Sequence, residues 1–125
     1  MNTPLSEYKT LIDGLVGIHS STLAIWARKK GWPKTPENKE FNQSLSQLTS
    51  RQREVLAQMI QLAYDGGIFD TLAYLNDDIN LRGLRFSRHN VEFAIEPYGT
   101  ELYWDWQSRC DGEAWPEHQL DDKYK

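Results

Sequence analysis

At Asn80 the spacing of apolar residues changes from three-and-four to two, and this switch constrains the fold more than any other feature. Downstream, Leu84 and Phe86 alternate with Arg85 and Ser87. Val91, Phe93 and Ile95 alternate with Glu92, Ala94 and Glu96. Leu102, Trp104 and Trp106 alternate with Tyr103, Asp105 and Gln107. A period of two puts successive side chains on opposite faces of a strand. His89-Asn90 and Pro97-Tyr98-Gly99-Thr100 supply turns between the runs. The spacing predicts a three-stranded antiparallel meander over 82–107, followed by a Trp-rich acidic loop and tail over 108–125.

Upstream, the period is helical. Leu5, Tyr8, Leu11, Ile12, Leu15, Val16, Ile18, His19, Thr22, Ile25 and Trp26 predict one long helix over about 4–30. Thr3-Pro4 opens it, and Arg28-Lys29-Lys30 followed by Gly31 closes it. Gly14 and Gly17 weaken that element by about 1 kcal/mol each relative to Ala, so two helices are the alternative. After a loop to Asn38, Phe41, Leu45 and Leu48 mark a short helix. Thr49 with Gln52 resembles a capping box. The helix it opens has Val55, Leu56, Met59, Ile60, Leu62 and Ala63 as its expected buried stripe. Gly66-Gly67 predicts a break before a last helix through Ile68, Phe69, Leu72 and Leu75. About four helices over 4–80, packed on the apolar face of the meander, make an α+β fold in one domain of 125 residues.

The composition is that of a globular chain, with 39% hydrophobic and 26% charged residues. Cys110 is the only cysteine, which excludes an intrachain disulfide and suits a reducing compartment. The N-terminus lacks the basic and apolar regions of a secretory signal, and no run approaches the ~20 apolar residues of a membrane span. A cytoplasmic location is the expectation. The net charge of −4 is uneven: Met1 to Asn90 holds 11 Lys+Arg and 9 Asp+Glu, whereas Val91 to Lys125 holds 3 and 9. An acidic C-terminal third disfavours phosphate backbones and tolerates basic partners.

The motifs with chemical meaning are mostly explained by structure. Leu48-Thr49-Ser50-Arg51-Gln52-Arg53-Glu54-Val55-Leu56 resembles the opening of the helix-turn-helix in response regulators and sigma-factor DNA-binding regions. Asn76-Asp77-Asp78 then stands where the recognition helix would meet phosphates, so the expectation is no nucleic-acid partner. Asn76, Asp78 and Asn80 echo a calcium loop, but Leu81 and Ser87 occupy the positions that require Gly and Glu. His19, His89, His118 and Cys110 lack paired metal-ligand spacing. Arg28-Lys29-Lys30 with Lys34 has the charge to touch phosphate, although a charged helix end accounts for it. No nucleophile, phosphate-loop or dinucleotide motif is present, so no cofactor is expected and catalysis stands only as the alternative.

Tyr103 to Glu117 is different: three Trp, one Arg and four carboxylates lie within fifteen residues. Trp and Arg dominate binding hot spots, and Arg pairs well with carboxylates. Trp104, Asp105, Trp106, Arg109, Asp111 and Trp115 are the candidate binding residues. The structural alternative places Trp104 and Trp106 in the core, with Arg109 holding the loop through Asp105, Asp111 or Glu113. The segment is similar to the endings of small uncharacterised bacterial domains. In general character the chain resembles bacterial immunity or inhibitor proteins, which implies an acidic protein that binds another protein. An enzyme or small-ligand binder, with a pocket between helices and sheet, is the other expectation.

Overall fold

A computed structural model describes residues 2–119. The chain forms two compact units, Ser20–Gly67 and Met1–His19 with Ile68–Lys125. It is mostly helical. The expected segment 120–125 of the tail lies outside the described residues.

In the unit formed by the two chain ends, α1 spans Pro4–Gly17. Thr3 and Ser6 cap it reciprocally: Ser6 N–H donates to Thr3 Oγ1 at 3.0 Å, and Thr3 N–H to Ser6 Oγ at 2.8 Å. The expected long helix over 4–30 is thus two helices, because Gly17 ends the first and Ser21 starts the second by accepting from Ala24 N–H at 3.2 Å. Of the two sequence readings, the split is the one observed.

The three-stranded meander is not formed. Its first turn exists: β1 (Ser87–Arg88) pairs antiparallel with β2 (Val91–Glu92), in register Ser87↔Glu92 and Arg88↔Val91. His89 and Asn90 have φ of 54° and 61°, as a two-residue hairpin turn of the right twist requires. Beyond one further bond, from Phe93 N–H to Phe86 O, the ladder ends, and Ala94 N–H donates to Pro4 O instead. Phe93 and Ala94 are both buried, so alternation between a dry and a wet face fails there. The expected third strand is a helix, α5, over Leu102–Cys110. Leu102, Asp105 and Trp106, spaced at three and four, are its buried face. This face packs with Tyr8, Ile12, Leu72, Ile79, Phe93 and Ala94 into one apolar cluster.

The unit Ser20–Gly67 contains α2 (Thr22–Ile25), which widens into a π-type turn over Trp26–Lys30, a 3-10 turn at Pro36–Asn38, and α3 (Lys39–Ser46). The first part of α4 (Ser50–Arg82) completes it. The capping box at its start is present, with Gln52 N–H donating to Thr49 Oγ1 at 3.1 Å and Thr49 N–H to Gln52 Oε1 at 2.9 Å. Ala24, Ala27 and Ala57 are the buried contacts, and small side chains let the helices approach closely. The expected buried stripe is mostly not buried, and Ala63 is exposed. Leu56 and Ile60 pack inward, whereas Val55, Met59 and Leu62 are 38%, 61% and 71% exposed.

Helix α4 runs through Gly66-Gly67 without the expected break. A continuous helix removes the turn on which the helix-turn-helix resemblance depended. Nothing stands within 4 Å of a Cβ placed at Gly66. Gly66→Ala therefore should raise stability by roughly 0.5–1 kcal/mol, since helical Gly costs that much backbone entropy. Urea unfolding checks this, and an unchanged or lower midpoint would show that the glycine is needed. Among the described residues no helix is long and apolar enough to cross a membrane.

Candidate functional site

Helix α5 separates the candidate residues by face. Asp105 and Trp106 point inward and are 3% and 1% exposed, whereas Trp104 is 56% exposed. Spacing explains the division, because Trp104 and Trp106, two residues apart on a helix, lie on nearly opposite faces. The expectation that Trp104 fills the core together with Trp106 held only for a strand.

On the inner face, Asp105 accepts hydrogen bonds from two hydroxyls, Tyr8 through Oδ2 and Thr100 through Oδ1. Burial pushes the Asp105 carboxyl above its ordinary range, outweighing those two hydrogen bonds and the Arg109 charge. Burial, followed by the Asp105 charge, likewise holds the Tyr8 phenol far above its usual range. An enclosed carboxylate with both oxygens engaged braces α5 against α1 and the turn before α5. Trp106 Nε1, beside it, is buried without a hydrogen-bond partner.

Arg109 lies one turn beyond Asp105, with its side chain only 9% exposed. Its Cζ stands 4.5 Å from the centre of the Trp115 ring, and Nη2 is 3.9 Å from Glu113 Oε2. Nε and Nη1 are buried without a hydrogen-bond partner. The guanidinium is thus held by a ring face and nearby charge more than by directed hydrogen bonds. Trp115 is the hub of this corner. Its Nε1 donates to Asp13 Oδ1 at 3.0 Å, its ring meets Tyr8 edge-on at 6.0 Å and Tyr98 at 5.6 Å, and Lys9 Nζ lies 5.7 Å away. The structure therefore brings Asp105, Arg109 and Trp115 together and leaves Asp111 and Trp104 outside.

On the outer face, Trp104 is flanked at helical spacing by Glu101, Gln107 and Asp111. Gln107 Nε2 donates to Asp111 Oδ1 at 3.2 Å. The neighbouring Tyr103 ring meets Phe69 at a tilt, with centroids 4.8 Å apart. Its phenol is pushed above its usual range by burial and then by Glu101, Asp77 and Glu96, carboxylates from three segments. This end of the unit carries an acidic field around an exposed indole.

Sequence reasoning missed Tyr8, Thr100, Tyr98, Lys9 and Asp13. Only Tyr8 left a signal: on the apolar face of α1 its hydroxyl needed a buried partner. The other motif residues have structural roles. His19 Nδ1 contacts Val16 O at 2.7 Å, and His89 Nδ1 contacts Glu7 Oε1 at 3.1 Å. Asn76 Oδ1 accepts from Leu102 N–H at 3.1 Å, and Asp78 pairs with Arg82 within α4. The space expected to hold a pocket, between the helices and the hairpin, is a cavity of about 10 Å³ lined by residues such as Tyr8, Phe93 and Leu102. That is about one water's room.

The chain belongs to a family of unknown function, DUF6547, whose model matches residues 1–117. The likeness therefore spans nearly the whole chain and not the C-terminal third alone. No curated protein and no solved structure matches it.

Proposed function

We propose that this family member is a protein-binding module without chemistry of its own, and that it receives a basic partner on the outer face of α5. The observation that carries the reading is Trp104, 56% exposed on a helix whose other face is fully packed. An exposed indole is a recurrent anchor at interfaces, where it buries a large rigid surface at little entropic cost. Its setting selects the partner. Glu101 and Asp111 lie one and two turns from it, and the unit made of 1–19 and 68–125 holds seven Lys+Arg against fourteen Asp+Glu. Such a field steers cationic surfaces toward the indole and repels phosphate backbones.

Affinity capture from the source organism tests the reading. The expected result is a basic protein retained stoichiometrically at low salt, released as ionic strength rises, and retained at least tenfold less by Glu101→Gln/Asp111→Asn. Retention that ignores both salt and the double substitution would contradict it.

A further inference from the structure

The charge of the chain is divided between its two units. Ser20–Gly67 carries seven Lys+Arg and four Asp+Glu, a net +3, within a chain of net −4. Four of those cations, Lys30, Lys34, Lys39 and Arg53, line one groove of about 640 Å³ together with Asn42 and Leu45. No carboxylate lines it. Among the described residues none of the four cations forms an ion pair, although Arg28 nearby does so with Glu54 at 2.6 Å. Glu37, between Lys34 and Lys39 in sequence, is engaged by the Thr35 hydroxyl, which helps hold its carboxyl below the usual range.

The groove is built as well as charged. Arg53 Nε donates to Ala27 O at 2.8 Å, and Nη2 reaches Trp26 O at 3.4 Å, so the guanidinium is fixed by carbonyls that leave its charge uncompensated. Asn42 clamps the wall from both sides: its Oδ1 accepts from Trp32 N–H at 2.8 Å, and its Nδ2 donates to Trp32 O at 3.0 Å. Gly31 permits this. It has φ +80°, and a Cβ there would lie 2.7 Å from Asn42 Oδ1. Leu45, 5% exposed, gives the groove an apolar floor.

We propose that this groove binds a compact phosphate-bearing small molecule, with the phosphates among Lys30, Lys34, Lys39 and Arg53. The ligand class follows from the chemistry. Unpaired ammoniums and a fixed guanidinium match several negative charges held close together. The volume is that of a small-ligand site.

Pyrophosphate is the probe, titrated calorimetrically into the full chain at low salt. Saturable one-to-one binding is expected. Lys34→Gln/Lys39→Gln should weaken it about tenfold or more, since two of the four cationic contacts are lost. Lys29→Gln/Arg51→Gln removes equal charge outside the groove lining and should weaken binding less than threefold. These are surface substitutions that spare the core, so loss of binding is not loss of folding. Absence of saturable binding, or equal weakening by the two double substitutions, would overturn the proposal.

Discussion

Asp105→Ala should lower the unfolding free energy by on the order of 3–5 kcal/mol, the largest effect expected at any polar position of the chain. The substitution strands the buried Tyr8 hydroxyl and the part-buried Thr100 hydroxyl, opens a cavity beside Trp106, and removes a carboxylate charge near Arg109, whose side chain is 9% exposed. Unsatisfied buried groups cost about 1–3 kcal/mol each, so the two stranded hydroxyls account for most of the loss. Asp105→Asn keeps the shape and one acceptor, so it should cost less. It also isolates the pH dependence. The folded state raises the Asp105 pKa above its ordinary 3.8, so above that value it binds more protons than the unfolded state. Stability from this group is present at low pH and lost as pH rises through the raised pKa. The wild-type advantage over Asp105→Asn should therefore shrink as pH rises from about 3.8. An advantage that grows with pH would mean that Arg109 and the hydroxyls, and not burial, control the carboxyl.

Arg109→Ala is the second large effect, at about 2–4 kcal/mol. It exposes the Trp115 face, loses the contact with Glu113, and leaves Asp105 without its neighbouring cation in a buried site. Arg109→Lys should recover little, because an ammonium does not stack as a planar guanidinium does. Urea unfolding reads both, and midpoints equal to wild type with unchanged slope would remove Arg109 from the bracing role.

Much of the helical half was legible because its signals are local. Thr3-Pro4 and Thr49 with Gln52 are caps whose hydrogen bonds form within three residues. His89-Asn90 likewise encodes its own turn. Leu102 to Gln107 misled because an aromatic run of six residues fits period two as well as a short helix, and aromatic β-propensity depends on context. What decides the matter is tertiary. The helix places Leu102, Asp105 and Trp106 together, and the partner that makes a buried Asp105 tolerable, Tyr8, lies 97 residues earlier. Gly66-Gly67 misled for another reason: two glycines weaken a helix without forbidding it, and the apolar positions on either side hold α4. At the candidate site the sequence marked Arg109 and Trp115, since charge and aromatic content are visible in a string. It did not mark Asp13, Lys9 or Tyr98, which reach Trp115 only through the fold. The basic groove was half visible, as Lys30 with Lys34. Arg53 and Lys39 joined it only in three dimensions.

The central claim is that α5 braces the fold with one face and meets a partner with the other. The most direct test compares partner retained per mole of folded protein for Trp104→Ala and Arg109→Lys, in the cold where both are folded. The account predicts wild-type unfolding but at least tenfold less retained partner for Trp104→Ala. For Arg109→Lys it predicts a lowered unfolding midpoint with retention intact. Full retention by Trp104→Ala, with loss by Arg109→Lys, would contradict it.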